Sequence, residues 1–397
     1  MKIILLLLIS SAINKSMIKQ IEKENFIIRT KHLVRDIVEK YGYIYEEYKL
    51  TTTDGYINTI YRIPGKQGKP VTPKKPIMLL HGIADTAFTF FHMKEKSIPF
   101  LLIEEGYDVW LPNIRGNYLS HDHKEYSYRR INGKYWDFSL DDLVDYDIPE
   151  TIEFIKAKTG YAKISYIGHS QGTCLFLLSY MKDPKYMKDS IEKFIALGPV
   201  TSLANVKSEI VDLAAKYHVF LRDYLPIKRM FYFNDFIHTL QVIFAKVFPN
   251  LMQSLMEFQF GLEPTNLTDY SKITDWFYVF PGGCSKKVML HWLQSYRMKK
   301  WTKFDFGEEK NLEKYGSINP PEYNEDNYKK WDIPSVFTYS ENDPFGAPQD
   351  LLNFYNKVEN KEYVTLLDAK KFNHIDVFSS YALFDNIIPY ILNFLKN

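Results

Sequence analysis

The chain has 397 residues, 46% hydrophobic and 25% charged, with a formal net charge of +2. That length and balance describe a globular protein with a large core, either one α/β domain carrying an insertion or two domains. The near-neutral charge leaves no electrostatic footprint for nucleic acid, while the aromatic content, 16%, is high.

The chain opens "MKIILLLLISSAINKSM". Lys2 supplies a positive start, Ile3 to Ile9 an apolar run, and Ser10 and Ala12 small residues near a cleavage point. This is the pattern of a signal peptide over about residues 1–16. The run is far short of the roughly 20 apolar residues that span a bilayer. The best later stretch, "YALFDNIIPYILNFL", is broken by Asp385 and Pro389, so no transmembrane segment is expected. A secretory route fits the glycosylation sequon "NLT" at Asn266, and a second, at Asn14, falls at the expected cleavage site. Cys174 and Cys284 are the two cysteines of the chain and are read as free thiols.

Next comes "EEYKLTTTDGYINTIYRIP", which alternates polar and apolar residues about Asp54-Gly55 and predicts a hairpin. "KPIMLLHG" reads as a buried strand ending at Gly82. A helical stretch leads to another strand over Tyr107 to Leu111. "SLDDLVDYDIPETIEFIKAKTG" has helical periodicity with a stop at Gly160. Its four aspartates, Asp141, Asp142, Asp145 and Asp147, are read as a solvated face and an N-terminal turn. "KISYIGHSQG", its helix and the strand "KFIALGPV" follow. The alternation of strand and helix predicts a mostly parallel sheet covered on both faces. It fails between about residues 201 and 330, a long, aromatic and largely helical region. It resumes with the strands "DIPSVFTY" and "EYVTLLDA" and a final helix in "FDNIIPYILNFLKN". We therefore expect an α/β core over residues 17–200 and 331–397, with a helical cap or lid at 201–330.

Gly168-His-Ser170-Gln-Gly172 sits at a predicted strand-to-helix turn, the setting of a nucleophile elbow. The turn leaves little room for side chains, which accounts for Gly168 and Gly172. A serine hydroxyl needs a histidine to take its proton and a carboxylate to orient that histidine. On such a sheet both follow the serine on later loops, the acid first. The loop after "SVFTYS" offers Asp343, and the loop after "YVTLLDA" offers His374. Glu341 and Asp350 rival Asp343, but Asp350 reads as the cap of the helix "LLNFYNKV". Asp376 reads as a cap of its own. Two backbone N–H donors are needed for the oxyanion. Gln171, after the serine, is one, and Ile83, in the loop after "IMLLHG", is the other. The "HDH" at His121 and His123 lacks a third ligand for a metal site, and there is no phosphate loop or cofactor fingerprint. No metal or cofactor is expected.

With these residues assigned, the chain resembles the acid lipase family, which includes gastric and lysosomal acid lipases. The resemblance covers almost the whole mature chain. It rests on "VEKYGYIYEEYKLTTTDGYINTIYRIP", "LLHGIADTAFTF", "GYDVWLPNIRGNYLS", "YWDFSLDDLVDYDIPETIEFI", "ISYIGHSQGT", "PGGCSKKVMLHWLQSYRMKKWTKFDFG" and "PPEYN", in family order. It implies an α/β-hydrolase fold with Ser170 as nucleophile, Asp343 as acid, His374 as base, and Ile83 and Gln171 as oxyanion donors. It also implies a lipid ester substrate met at a lipid–water interface, in a secreted or lysosomal protein. Two departures stand out: the acid loop reads "PFGAP" where the family carries "LADP", and the cap lacks the cysteine pair of vertebrate members. The alternatives are a short-chain carboxylesterase and a non-catalytic lipid-binding protein on a hydrolase scaffold.

Overall fold

The computed structural model describes residues 32–72, 74–260, 267 and 274–397. The expected signal peptide and the sequons at Asn14 and Asn266 lie outside the described residues. The strands that build the main sheet are β1 (Glu46–Thr51), β2 (Tyr56–Ile63), β3 (Pro76–Leu80), β4 (Asp108–Pro112), β5 (Asp122–His123), β6 (Ile164–His169) and β7 (Ile191–Leu197). After an insertion that holds β8 (Arg229–Tyr232) and β9 (Gly282–Ser285), it is completed by β10 (Ser335–Tyr339) and β11 (Val364–Asp368). The order is β1-β2-β4-β3-β6-β7-β10-β11, with β5 on β2. β1 pairs antiparallel with β2, as the alternation about Asp54-Gly55 predicts, and β2 pairs antiparallel with β4. From β4 to β11 every pairing is parallel.

The parallel strands are apolar on both faces, and successive side chains separate into two cores. Met78, Leu80, Trp110, Tyr166, Phe194 and Ala196 enter one. Ile77, Leu79, Val109, Leu111, Ile167 and Ile195 enter the other. The principal helices cover these faces. On the first lie α3 (Ile148–Thr159) and α4 (Gln171–Lys182), through Ile148, Ile152, Ile155, Leu175 and Leu178. On the second lie α1 (Leu33–Lys40), α2 (Ile98–Glu104) and α11 (Ile388–Lys396). Their buried residues recur one turn apart: Val34 and Val38 on α1, and Ile388, Ile391 and Leu395 on α11. α3 ends where Gly160 turns left-handed at φ 77°, a stop that a glycine takes without a Cβ penalty.

Between β7 and β10 the chain leaves the sheet. It forms α5 (Glu209–Lys216), α6 (His218–Asp223), α7 (Asp235–Val247), α8 (Pro249–Phe260) and α9 (Lys286–Met298). β8 and β9 form an antiparallel ribbon inside it. The ribbon is not legible in the sequence, because "GGCS" carries no strand propensity and its pairing is tertiary. α10 (Pro348–Lys357) follows β10.

The reading of the four aspartates as solvated needs correction at Asp147. Its carboxyl is fully buried and accepts from the Arg115 Nε–H at 2.5 Å and from the Asn58 amide. Arg115, itself buried, also pairs with Asp54 in the β1–β2 turn and lies 3.9 Å over the Tyr56 ring. Asp141 accepts from the Phe304 N–H and the Tyr323 hydroxyl, so it too ties elements together. Asp142 completes a capping box with Ser139. Replacing Arg115 by Leu would strand the Asp147 charge in the core. We expect Arg115→Leu to cost about 3–5 kcal/mol, read as a lower midpoint of urea unfolding at unchanged slope.

Candidate active site

Ser170 stands between the end of β6 and the start of α4, at φ 51° and ψ −116°. A non-glycine residue in this region carries strain that only its surroundings can hold in place. Those surroundings are crowded backbone. A Cβ on Gly168 would lie 2.7 Å from the Gly172 carbonyl carbon, and a Cβ on Gly172 would collide with the Leu80 carbonyl oxygen of β3. Ser170 N–H donates to the Leu197 carbonyl at 3.1 Å, which ties the turn to the end of β7. The serine is 7% exposed.

Asp343 and His374 lie in the loops after β10 and β11. His374 Nδ1 is 2.9 and 2.8 Å from the two Asp343 carboxylate oxygens. Both side chains are buried. Burial opposes the charge on Asp343, but His374 and the N–H groups of Gly346 and Phe345 outweigh it and hold the carboxyl below its ordinary range. Those two N–H groups reach Asp343 Oδ1 at 2.8 and 2.9 Å. They belong to the "PFGAP" departure, which thus cradles the acid. Gly346 admits no side chain, since a Cβ would sit 2.8 Å from Asp343 Oδ2.

His169 connects this pair to the elbow. Its Nε2–H donates to the His374 carbonyl at 3.0 Å, and the two rings are 5.0 Å apart. Gly198, just past β7, faces the pair from the third side. At φ 55° its Cβ would meet His374 Nδ1 at 3.1 Å and Asp343 Oδ2 at 3.3 Å. Sequence reading missed Gly198, although its position one residue past a strand that neighbours the elbow was a signal. His81, just after β3, is committed elsewhere. Its Nδ1–H meets the Gly82 carbonyl at 2.8 Å, and its Nε2 accepts from the Asn117 amide at 3.0 Å.

Gln171 opens α4, so its N–H has no acceptor within the helix. Its side-chain oxygen accepts from the Trp292 indole of α9 at 2.9 Å, a contact the sequence gave no hint of. Gly82 brings the Ile83 loop against the turn: a Cβ there would lie 3.3 Å from Ser170 Cβ.

Two cap readings are corrected. Asp350 does not cap α10, whose N-cap is Ala347 with Pro348 opening the helix. It is buried and accepts from Asn205 through N at 3.1 Å and Nδ2 at 2.7 Å. A third-position carboxylate pointing at a neighbouring loop is indistinguishable in sequence from a cap one turn away. Asp376 likewise opens its short helix without capping it, and accepts from the Asn373 N–H at 2.8 Å. Glu341 is exposed. His121 stacks on Tyr128 at 3.9 Å and meets the Tyr232 hydroxyl. His123 accepts from the N–H groups of Glu125 and Tyr126. Cys174 and Cys284 are buried and unpaired.

The alpha/beta hydrolase fold family matches residues 75–377, and the partial alpha/beta-hydrolase lipase region matches residues 34–94. Lipase member K of Homo sapiens is 32% identical over 92% of each chain. Gastric triacylglycerol lipase of Rattus norvegicus is 33% identical over 86% of each. The lysosomal acid lipase/cholesteryl ester hydrolase of Homo sapiens is 34% identical over 73% of each. Among solved structures, an esterase from Exiguobacterium antarcticum superposes with a TM-score of 0.52 at 13% identity, covering 89% of this chain and all of the other. A bromoperoxidase from Bacillus anthracis gives 0.52 at 16% identity with the same coverage. These two share the fold alone; the lipases align over most of the chain with about a third of the residues identical, and with them this chain belongs to the acid lipase family of α/β-hydrolases.

Proposed function

We propose that the protein hydrolyses carboxylic esters of fatty acids, triacylglycerols or cholesteryl esters, with Ser170 as nucleophile, His374 as general base and Asp343 as its orienting acid. The observation that carries this reading is the buried Asp343–His374 pair beside a strained serine turn, each on the loop where the chemistry needs it. In the first half-reaction the Ser170 hydroxyl attacks the ester carbonyl and gives its proton to His374 Nε2. Asp343, already bonded to Nδ1, stabilises the imidazolium. The negative oxygen is held by the N–H groups of Gln171 and Ile83. His374 then returns the proton to the leaving alcohol, and water, activated by the same base, releases the fatty acid. The lipase relatives support the substrate class, and their gastric and lysosomal names support a secreted or lysosomal destination.

We assign residues 201–330 to a cap. Its helices α5 to α8 and the turns between them expose large apolar side chains, among them Leu213, Phe220, Tyr224, Phe236, Phe248 and Leu251, with Tyr224 at 71% and Phe236 at 65% exposure. A buried scaffold would hide them, whereas a surface that meets lipid uses them.

Ser170→Ala is expected to fold and to lose turnover on the order of a million-fold, together with covalent labelling by a fluorophosphonate probe. Full labelling elsewhere, or retained turnover, would reject the assignment. Asp343→Asn leaves the imidazole in the wrong tautomer and should lower kcat about ten-thousand-fold; near-normal kcat would remove Asp343 from the mechanism. Polar substitutions along the Phe236–Phe260 stretch should lower kcat/KM for long-chain esters far more than for butyryl esters. An unchanged long-to-short ratio would make the insertion a scaffold and favour a short-chain carboxylesterase.

A further inference from the structure

The loop that carries Ile83 is tied to the insertion rather than to the sheet alone. On its inner side it is pinned by His81 and by the close approach of Gly82 to Ser170. On its outer side the ties come from residues 276–282. The Ala84 carbonyl, at a residue with φ 50°, accepts from the Gly282 N–H at 2.6 Å. Asp85 Oδ1 accepts from the Trp276 indole N–H at 3.0 Å and from the Thr86 N–H at 2.8 Å. Gly282 is packed so tightly on this loop that a Cβ would lie 2.8 Å from Thr86 Cγ2. Trp276 is buried, stacks on Phe280 at 3.9 Å and meets Phe378 edge-on at 6.3 Å. Phe378 in turn packs on the His169 ring at 4.5 Å. One aromatic block thus touches the loop, the elbow and the segment just after His374.

We propose that Asp85 and Trp276 are positioning residues for the oxyanion donor Ile83: their hydrogen bond, with that of Gly282, holds residues 82–85 in register with Ser170 only while the 276–282 segment is seated. The proposal rests on the catalytic reading of Ser170. Neither side chain takes part in the chemistry; they set where the Ile83 N–H stands. Donors of this kind act because their positions are fixed before charge develops.

The carboxyl of Asp85 adds a titratable mark. Burial pushes it up to about 7, against the hydrogen bonds from Trp276 and Thr86. His92 packs edge-on against Trp276 at 5.0 Å and is pushed down to about 3 by burial, so it stays neutral. Asp275, on the Trp276 turn, faces Tyr41. Below about pH 7 Asp85 keeps its proton and accepts as a neutral group. Above it, a negative charge forms in the loop that must receive a negative oxygen, so kcat falls as pH rises.

The test uses the full-length protein and a soluble p-nitrophenyl butyrate substrate, with folding checked by near-ultraviolet circular dichroism. Asp85→Ala and Trp276→Phe should each lower kcat about ten- to hundred-fold, less than the roughly 10²–10³ lost when an oxyanion donor is removed outright. KM should change less than about three-fold. Asp85→Asn, whose amide oxygen still accepts from Trp276, should recover most of the loss and lack the fall in kcat above about pH 7. Wild-type kcat in Asp85→Ala and Trp276→Phe, a loss confined to KM, or an alkaline limb shared by wild type and Asp85→Asn would overturn the proposal. If Asp85→Ala or Trp276→Phe does not fold, the alkaline limb of Asp85→Asn decides alone. A wild-type protein that neither turns over the ester nor labels at Ser170 would instead reject the catalytic reading.

Discussion

The architecture of the site depends on one close backbone approach, where Gly172 at the start of α4 packs against the Leu80 carbonyl at the end of β3. Any side chain at Gly172 would push the helix off the sheet and relax the turn. Because the turn cannot relax, Ser170 is held at a backbone conformation it would not choose, with its Cβ beside the loop after β3. The strain is local and is borne by the contacts of a whole sheet, which is how such residues persist in folded proteins.

From this constraint the other positions follow. Parallel strands place their carboxyl ends along one edge of the sheet, and ligands gather outside that edge. The loops after β3, β6, β7, β10 and β11 all open there, and they carry Gly82, Ser170, Gly198, Asp343 and His374 in turn. The two cores on either face leave little freedom for the strands to slide, because a shift of one residue would exchange Met78 with Leu79 and Tyr166 with Ile167 between faces. The rigidity of the sheet is therefore what gives loop residues distant in sequence a fixed geometry.

Much of this was legible in the sequence because the signals are local. A glycine–x–serine–x–glycine stretch between a strand and a helix reports its own turn, and strands that are apolar on both faces report a covered parallel sheet. Chain order narrows the search for an acid and a base to two loops, and the Asp343 and His374 side chains found there pair in the structure. What was not readable depends on tertiary partners. Asp147 looks like its solvated neighbours until Arg115 arrives from the loop after β4. Asp350 looks like a helix cap until Asn205 is placed beside it. Gly198 and Gly346 matter only through the side chains opposite them, and Asp85 only through a tryptophan almost two hundred residues later. The β8–β9 ribbon is of the same kind, since neither strand announces itself without the other.

The unpaired state of Cys174 and Cys284 has a consequence for how the protein is made and kept. With two cysteines in the chain, both buried and unpaired, the region between β7 and β10 is held by packing and hydrogen bonds, with no covalent staple. Burial pushes the Cys284 thiol up to about 12 and raises that of Cys174, so neither is a ready nucleophile for exchange. A cross-link closing a loop of that order would restrict the denatured chain by about 4–5 kcal/mol, and this protein forgoes it. In return the native state contains no bond that a reducing environment could break, so its stability does not depend on redox poise once it is folded.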